Sequence, residues 1–141
     1  MGELKLKDIK IVKLKNIKNK NGNILHFLKQ GDSNFKKFGE AYFSWIHPNK
    51  IKAWKMHTKT TLNLVVPHGK VKFVFFLKRI NKFRTVTIGE KNYKMLIVPP
   101  GVWYGFKGIS KNKSLIANIT NLIHNPKEIL RRNKKDIKFS W

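Results

Sequence analysis

Cysteine is absent from this sequence of 141 residues. The absence excludes disulfide bonds, thiol nucleophiles and zinc sites built on thiolates. The sequence also lacks a run of about 18 consecutive apolar residues, the length that a membrane-spanning helix requires. Its first residues do not show the apolar core of a secretory signal. We therefore expect a cytoplasmic protein without a membrane segment.

Acidic residues are scarce: there are 7 Asp and Glu against 31 Lys and Arg, for a formal net charge of +24. Such a balance raises nucleic acid as a partner. However, nearly all of the excess is lysine, whereas proteins that read bases and phosphates use arginine forks. The lysines also run through the whole chain with many Asn and Ile, as codon bias in an AT-rich genome would produce. Nucleic-acid binding is therefore not the function we expect, although the positive field would attract an anionic ligand.

Short apolar stretches separated by turn residues dominate the sequence. The Asn21-Gly22 pair is a typical hairpin turn, and Pro48-Asn49 ends another apolar stretch. The pattern predicts about ten strands, at residues 4–14, 24–28, 41–46, 51–57, 62–66, 71–77, 84–88, 93–98, 103–107 and 114–120. It indicates one all-β domain over residues 1–141, a sandwich or barrel of jelly-roll type, with a lysine-rich N-terminal edge strand within about residues 1–20.

One short helix is predicted near the C-terminus. Residues 127–131 follow Asn125-Pro126 and read Lys-Glu-Ile-Leu-Arg. The acid comes early and the arginine late, as the helix dipole prefers.

Residues 97–106 form a corner in which an apolar strand meets Pro99, Pro100 and Gly101 and then returns with Trp103 and Tyr104. Two prolines remove two backbone donors and belong at a strand edge or turn. The segment suits the mouth of a small barrel; the alternative is a structural turn beside a core aromatic cluster.

Four motifs and the terminal Trp141 together resemble the cupin-fold dTDP-4-dehydrorhamnose 3,5-epimerase family over about residues 35–141. The motifs are IKAWKMH (51–57), VVPHGKVKFV (65–74), IVPPGVWYGF (97–106) and IANITN (116–121). The resemblance implies a cupin-type jelly roll that forms a homodimer and binds a nucleoside-diphospho-4-keto sugar. It also implies catalysis with no metal or organic cofactor.

The resemblance assigns the general base to His57, at the end of the strand 51–57. Removing a C–H proton next to a ketone needs a base that is neutral near pH 7, and imidazole qualifies. The alternative is a hydrogen-bonded core histidine. Asp136 is a candidate to orient His57, or else a surface acid. Arg79 matches an arginine of the family and suits a pyrophosphate, or else is a solvated charge at a strand end.

The chain departs from the family pattern at several positions. Trp54 stands where a phosphate-binding arginine is usual, and Lys59 is a candidate replacement for a lysine that stabilises the enolate. The expected tyrosine acid is missing from residues 117–124, which leaves Tyr104 and His124 as candidate acids. The alternatives are a core aromatic for Tyr104 and a capping loop residue for His124.

Strand alternation adds a further candidate. In residues 51–57, period-two alternation puts Ile51, Ala53, Lys55 and His57 on one face and Trp54 on the other. A lysine that points into a barrel is costly unless it meets an anion. Lys55, Lys59 and Asn118 are therefore candidates to bind the substrate and stabilise an enolate oxygen.

A metal site is not expected. Metal-binding cupins offer His-x-His, then Glu, then a later His at the proline-glycine corner. This chain has His57 and Lys59 at the first pair, Asn63 near the Glu position and Tyr104 at the corner. One competent ligand out of four cannot hold a divalent ion.

The first hypothesis is a cofactor-independent epimerase or isomerase that acts on a nucleoside-diphospho-4-keto-6-deoxy sugar, in deoxysugar or polysaccharide biosynthesis. The second is a non-catalytic cupin that binds a sugar or sugar nucleotide. The third is a basic nucleic-acid-binding protein, which predicts lysines clustered on one face and binding that depends steeply on salt.

Overall fold

The computed structural model describes residues 2–141, and nearly all of its regular structure is β. Its strands are β1 (Lys10–Lys13), β2 (Asn16–Ile17), β3 (Ile24–Leu25), β4 (Glu40–Ile46), β5 (Ile51–His57), β6 (Leu62–His68), β7 (Lys70–Leu77), β8 (Lys82–Gly89), β9 (Lys94–Val98), β10 (Trp103–Gly108), β11 (Ser114–Thr120) and β12 (Ile129–Arg131). Single turns of 3-10 helix span Leu6–Asp8, Lys78–Ile80, Pro126–Glu128 and Lys134–Asp136. Within residues 2–141 no helix is long and apolar enough to cross a membrane.

Two antiparallel five-stranded sheets pack face to face. The first sheet has the order β1-β9-β6-β11-β4, and the second has the order β12-β5-β10-β7-β8. Their inner faces share one apolar core, because every second residue of a strand points to the same side. The core takes Leu64, Leu96 and Ile116 from the first sheet and Phe73 and Phe75 from the second.

The two ends of the chain cover the outer faces of the sheets. Residues 12–28, which include the β2–β3 hairpin predicted at Asn21-Gly22, place Leu14 and Phe27 on the outer face of the first sheet. At the other end, Phe139 and Trp141 pack with Trp54 on the outer face of the second sheet. The C-terminal segment is therefore fixed to the same sheet that carries His57.

The short helix predicted over residues 127–131 is wrong. Pro126–Glu128 form a single 3-10 turn, and Ile129–Arg131 then become β12, antiparallel to Lys55–His57 of β5. Five residues are too few to repay helix nucleation. The open edge of β5 instead offers backbone partners to Ile129–Arg131.

The strict alternation predicted for residues 51–57 is also wrong for the residues that precede Lys55. On β10, Tyr104 lies opposite Lys55, but the next residue, Gly105, lies opposite Ala53, so Trp54 is an extra residue in a β-bulge. Ala53 therefore joins Trp54 in the outer cluster. Lys52 instead reaches across to the first sheet, where its ammonium donates to the Trp45 carbonyl over 2.8 Å.

Candidate active site

Two adjoining cavities open between the sheets. The large cavity has a volume of about 710 Å³ and is lined by residues of β4, β5, β6, β10 and β11 and by Arg131, Arg132, Asn133 and Asp136. A smaller cavity of about 370 Å³, the histidine cavity, is lined by His57, His124 and Glu128 together with residues of β4 and β11. Tyr42 and Lys55 line both cavities, so they mark the junction between them.

His57 lies at the end of β5 and is paired with Glu128. The His57 Nδ1 atom is 2.9 Å from Oε2 and 3.2 Å from Oε1 of Glu128, and both side chains are buried. The Oε1 atom also accepts the backbone N–H groups of Lys59 and Thr60, over 3.1 and 2.8 Å. Glu128 is thus held by three donors in a fixed position beside Nδ1 of the imidazole.

Hydrogen bonds and burial together determine which of the two groups is charged. Burial favours the neutral acid, but the bonds from His57 and from the N–H groups of Lys59 and Thr60 lower the pKa of Glu128 to about 2. Burial has the largest effect and lowers the pKa of His57, while the hydrogen bond and the charge of Glu128 raise it without reversing the shift. A neutral imidazole beside an ionised carboxylate places its proton on Nδ1, and Nε2 remains as a base. Within residues 2–141, this buried Nε2 atom has no hydrogen-bond partner.

Tyr42 is a site residue that the sequence analysis missed. It lies on β4 opposite Asn118 of β11, and the Asn118 amide donates to the Tyr42 hydroxyl oxygen over 2.9 Å. Burial raises the pKa of Tyr42. Tyr42 thus places a phenol beside Asn118, within the segment 117–124 where a tyrosine was expected. Alternation was an available signal, because Tyr42 and Ser44 share one face of β4 and Phe43 and Trp45 share the other.

Tyr104 and His124, the two predicted acids, also lie near His57. The Tyr104 ring stacks on the His57 ring with 6.2 Å between centroids and 15° between planes. Tyr104 is buried and lines the large cavity, and its burial raises the pKa of the phenol strongly. His124 is exposed and lines the histidine cavity.

Cations form one wall of the large cavity. Lys52, Lys55, Arg131 and Arg132 line it. Lys55 lies directly opposite Arg131 in the β5–β12 pair. Burial lowers the pKa of Lys55, and Arg131 and Lys52 lower it further, with a smaller opposite effect from Glu128. This wall provides positive charge for an anionic ligand.

Two predicted site residues have other partners. Asp136 lines the large cavity, but its carboxylate accepts the Asn133 N–H over 3.0 Å, and the role of orienting His57 belongs to Glu128. Arg79 donates to the Leu4 carbonyl and pairs with Glu3 over 3.1 Å, so it lies outside both cavities. Both charged groups therefore already have partners within the protein.

Trp54 and Lys59 both make fixed contacts within the protein. Trp54 lines the large cavity, but its indole lies in the outer cluster and donates to the carbonyls of Lys134 and Ile137, each over 3.2 Å. Lys59 contributes its backbone N–H to Glu128, and its exposed side chain lines neither cavity. Among residues 2–141, no three His, Asp or Glu side chains are grouped so that they could hold a metal ion.

Comparison with known proteins gives two relatives that are named for glycan or polysaccharide biosynthesis. The chain is 30% identical over 89 residues to the "Probable low-salt glycan biosynthesis epimerase Agl13" of Haloferax volcanii, in a match that covers 58% of this chain and 57% of that protein. It is 26% identical over 123 residues to the spore coat polysaccharide biosynthesis protein SpsL of Bacillus subtilis, covering 84% of this chain and 82% of SpsL.

Solved structures confirm the cupin-type jelly roll. A dTDP sugar isomerase from Desulfovibrio desulfuricans superposes with a TM-score of 0.91 at 34% identity, covering 96% of this chain and 91% of the isomerase. A dTDP-4-dehydrorhamnose 3,5-epimerase from Sulfolobus tokodaii shares the fold with a TM-score of 0.82 at 18% identity, covering 97% and 84%. The 3,4-ketoisomerase QdtA of Thermoanaerobacterium thermosaccharolyticum, in complex with TDP-4-keto-6-deoxyglucose, shares it with a TM-score of 0.77 at 16% identity, covering 91% and 90%.

The predicted resemblance to cupin-fold epimerases and isomerases of sugar nucleotides is thereby confirmed. The family model described as "FdtA: WxcM-like, C-terminal" matches residues 7–139, nearly the whole sequence. The chain belongs to this FdtA, WxcM-like family.

Proposed function

We propose that this protein is a cofactor-independent epimerase or isomerase of a nucleoside-diphospho-4-keto-6-deoxy sugar, in deoxysugar or polysaccharide biosynthesis. The observation that carries the proposal is the buried His57–Glu128 pair, in which Nε2 of His57 has no partner within residues 2–141. A neutral imidazole held by a carboxylate is the base that proton abstraction next to a ketone requires. The dTDP sugar isomerase at 34% identity supports the choice of substrate class.

In this reaction His57 removes a proton from the carbon next to the ketone. The electrons of the C–H bond move into the carbon framework, and the ketone oxygen becomes an enolate oxygen. Glu128 keeps the imidazole oriented and stabilises the positive charge that His57 gains. Return of a proton to the opposite face of the same carbon gives an epimer. Where that carbon carries a hydroxyl, transfer of the hydroxyl proton to the former ketone oxygen and return of the abstracted proton to the former carbonyl carbon move the ketone.

Tyr42 is the acid that the geometry supports best. It lines the histidine cavity together with His57. The Asn118 amide donates to the hydroxyl oxygen of Tyr42, so the proton of that hydroxyl stays available for transfer. A positioned acid of this kind contributes a factor of about 100 to 10,000 to the rate. Tyr104 and His124 remain the alternatives, and the comparison of Tyr42→Phe with Tyr104→Phe in the Discussion separates the two phenols.

The nucleotide diphosphate fits the cationic wall. Lys52, Arg131 and Arg132 line the large cavity, and guanidinium groups bind phosphate oxygens in pairs. A volume of about 710 Å³ lies within the range of about 300–1,000 Å³ usual for small-molecule sites. We therefore place the diphosphate in the large cavity and the reacting sugar carbon toward His57.

A homodimer is part of the proposal. Strand β4 is an edge strand of the first sheet, and it exposes Phe43 and Trp45 to 73% and 44%. Apolar side chains on a sheet edge suit an interface with a second copy. Light scattering of the purified protein measures the mass directly, and a monomer at micromolar concentration would remove the dimer from the proposal.

Product analysis tests the proposed function. The protein is incubated with dTDP-4-keto-6-deoxyglucose, and the sugar products are followed by NMR beside the His57→Ala variant. We expect an epimer or the 3-keto isomer from the wild type and neither from His57→Ala. Saturable substrate binding without any product would instead favour the non-catalytic cupin.

A further inference from the structure

Proton abstraction by His57 and binding of the diphosphate do not explain why Lys55 lies where the two cavities meet. It lines the large cavity and the histidine cavity, whereas Lys52, Arg131 and Arg132 line only the large one. It lies on β5 two residues before His57, so both side chains leave the strand on the same side above the bulge at Trp54. Lys55 is thus the basic residue nearest along β5 to the proposed base.

The Lys55 ammonium has no fixed partner in the protein. Its side chain is partly buried, and within residues 2–141 it forms neither a hydrogen bond nor an ion pair with a carboxylate. Its charged neighbours include Arg131 and Lys52, both of which disfavour its charge, and Glu128, which favours it. Lys52 differs, because its ammonium is bound by the Trp45 carbonyl. A partly desolvated cation without a partner is unfavourable until an anion arrives.

We infer that Lys55 is a catalytic residue that stabilises the enolate oxygen formed when His57 removes the proton. The inference rests on the proposed function, which supplies the ketone. As the C–H bond breaks, its proton passes to Nε2 of His57 and its electrons move toward the ketone oxygen. The Lys55 ammonium donates a hydrogen bond to that oxygen and keeps its proton. The oxygen therefore lies at the junction of the cavities, beside Tyr42.

This role differs from diphosphate binding in what it predicts for kinetics. A diphosphate ligand binds ground state and transition state alike, so its loss raises KM. A group that meets charge formed only during the reaction affects kcat, and loss of one such donor costs a factor of about 100 to 1,000. Lys52 is the matched control, because it is also a lysine of β5 and lines only the large cavity.

The test measures kcat and KM for dTDP-4-keto-6-deoxyglucose in the wild type, Lys55→Met, Lys55→Arg and Lys52→Met. We expect Lys55→Met to lower kcat about 100-fold or more with KM changed less than about threefold. Lys55→Arg should recover about tenfold of this loss, since it restores a cationic donor. Lys52→Met should raise KM and change kcat little. A larger isotope effect with substrate deuterated at the reacting carbon is expected for Lys55→Met, because proton removal becomes slower.

Four results would overturn the inference. Unchanged kcat in Lys55→Met, with the wild type active, rejects the role of Lys55 and leaves the proposed function intact. An increase in KM alone reassigns Lys55 to the diphosphate. If borohydride trapped the substrate covalently on Lys55, Lys55 would act as a neutral amine that forms an imine with the ketone, and not as an ammonium that donates a hydrogen bond. An inactive wild type overturns the proposed function and this inference together. Calorimetry with TDP checks that each variant still binds the nucleotide. Where a Met variant does not fold, the corresponding Gln variant takes its place.

Discussion

His57 and Glu128 meet at 2.9 Å between Nδ1 and Oε2, although 71 residues separate them in the chain. His57 ends β5, and Glu128 ends the 3-10 turn that leads into β12. The pairing of β12 with β5 brings the two together, since Ile129 lies opposite His57. The strand Ile129–Arg131, where a helix was expected, therefore brings His57 and Glu128 together.

Removing the Glu128 carboxylate should cost both stability and activity. Glu128→Ala leaves His57 Nδ1 and the N–H groups of Lys59 and Thr60 without their acceptor. An unsatisfied buried donor costs about 1–3 kcal/mol, so we expect a loss of about 3 kcal/mol in the free energy of unfolding. Urea denaturation followed by tryptophan fluorescence measures it. Asp136→Ala is the control, because Asp136 is exposed and accepts one exposed N–H group; a similar loss in both variants would contradict the special position of Glu128.

The pH dependence of kcat/KM should reflect the lowered pKa of His57. The base must be neutral, so activity falls as the pH drops through that pKa. Burial lowers it below its ordinary value of 6.5, and we therefore expect the midpoint of the acid limb below pH 6.5. Glu128 raises the pKa of His57, so any residual activity of Glu128→Gln should have its acid limb at still lower pH. A wild-type midpoint clearly above pH 6.5 would contradict a neutral, buried base.

Tyr42 and Tyr104 should differ as acids. Tyr42→Phe removes the hydroxyl that Asn118 positions, and we expect product formation to fall about 100-fold or more while deuterium exchange at the carbon deprotonated by His57 continues. Tyr104→Phe should reduce product formation less than tenfold, because the ring that stacks on His57 remains. Product formation that depends on Tyr104 rather than Tyr42 would assign the acid to Tyr104.

The C-terminal tryptophan should stabilise the fold through its ring. Trp141 packs on Trp54 and Phe139 with ring centroids 5.3 and 5.2 Å apart. Trp141→Ala should lower the free energy of unfolding by about 3 kcal/mol. Trp141→Phe should cost less than about 1 kcal/mol, since the buried indole N–H has no partner within residues 2–141. Ile123→Ala, at a side chain that is 75% exposed, is the surface control; equal losses in Trp141→Ala and Ile123→Ala would contradict this packing.

Local patterns in the sequence predicted most of the fold. Residues 51–57 and 114–120 are strands with the expected bounds, because turn residues flank apolar stretches of strand length. The resemblance carried by the motifs predicted the cupin-type jelly roll and put His57 in its interior. These features depend on neighbouring residues or on the order of motifs, both of which a single sequence displays.

The partners within the site could not be predicted in this way. Tyr42 reaches Asn118, and Glu128 reaches His57, only through the pairing of distant strands, which local periodicity does not specify. The bulge at Trp54 depends on Gly105 of β10, where a Cβ atom would lie 2.6 Å from the Cβ of Ala53. Asp136 was the acid predicted to orient His57, but the pairing of β12 with β5 places the Glu128 carboxylate there instead.

The central claim is that His57 removes a proton next to the ketone, and hydrogen exchange tests it most directly. The wild type and His57→Asn are incubated with dTDP-4-keto-6-deoxyglucose in heavy water, and deuterium at carbons 3 and 5 is followed by NMR. We expect the wild type to introduce deuterium at one or both carbons, and His57→Asn to reduce the rate at least about 1,000-fold while it still binds TDP. Exchange that persists at the wild-type rate in His57→Asn would contradict the account.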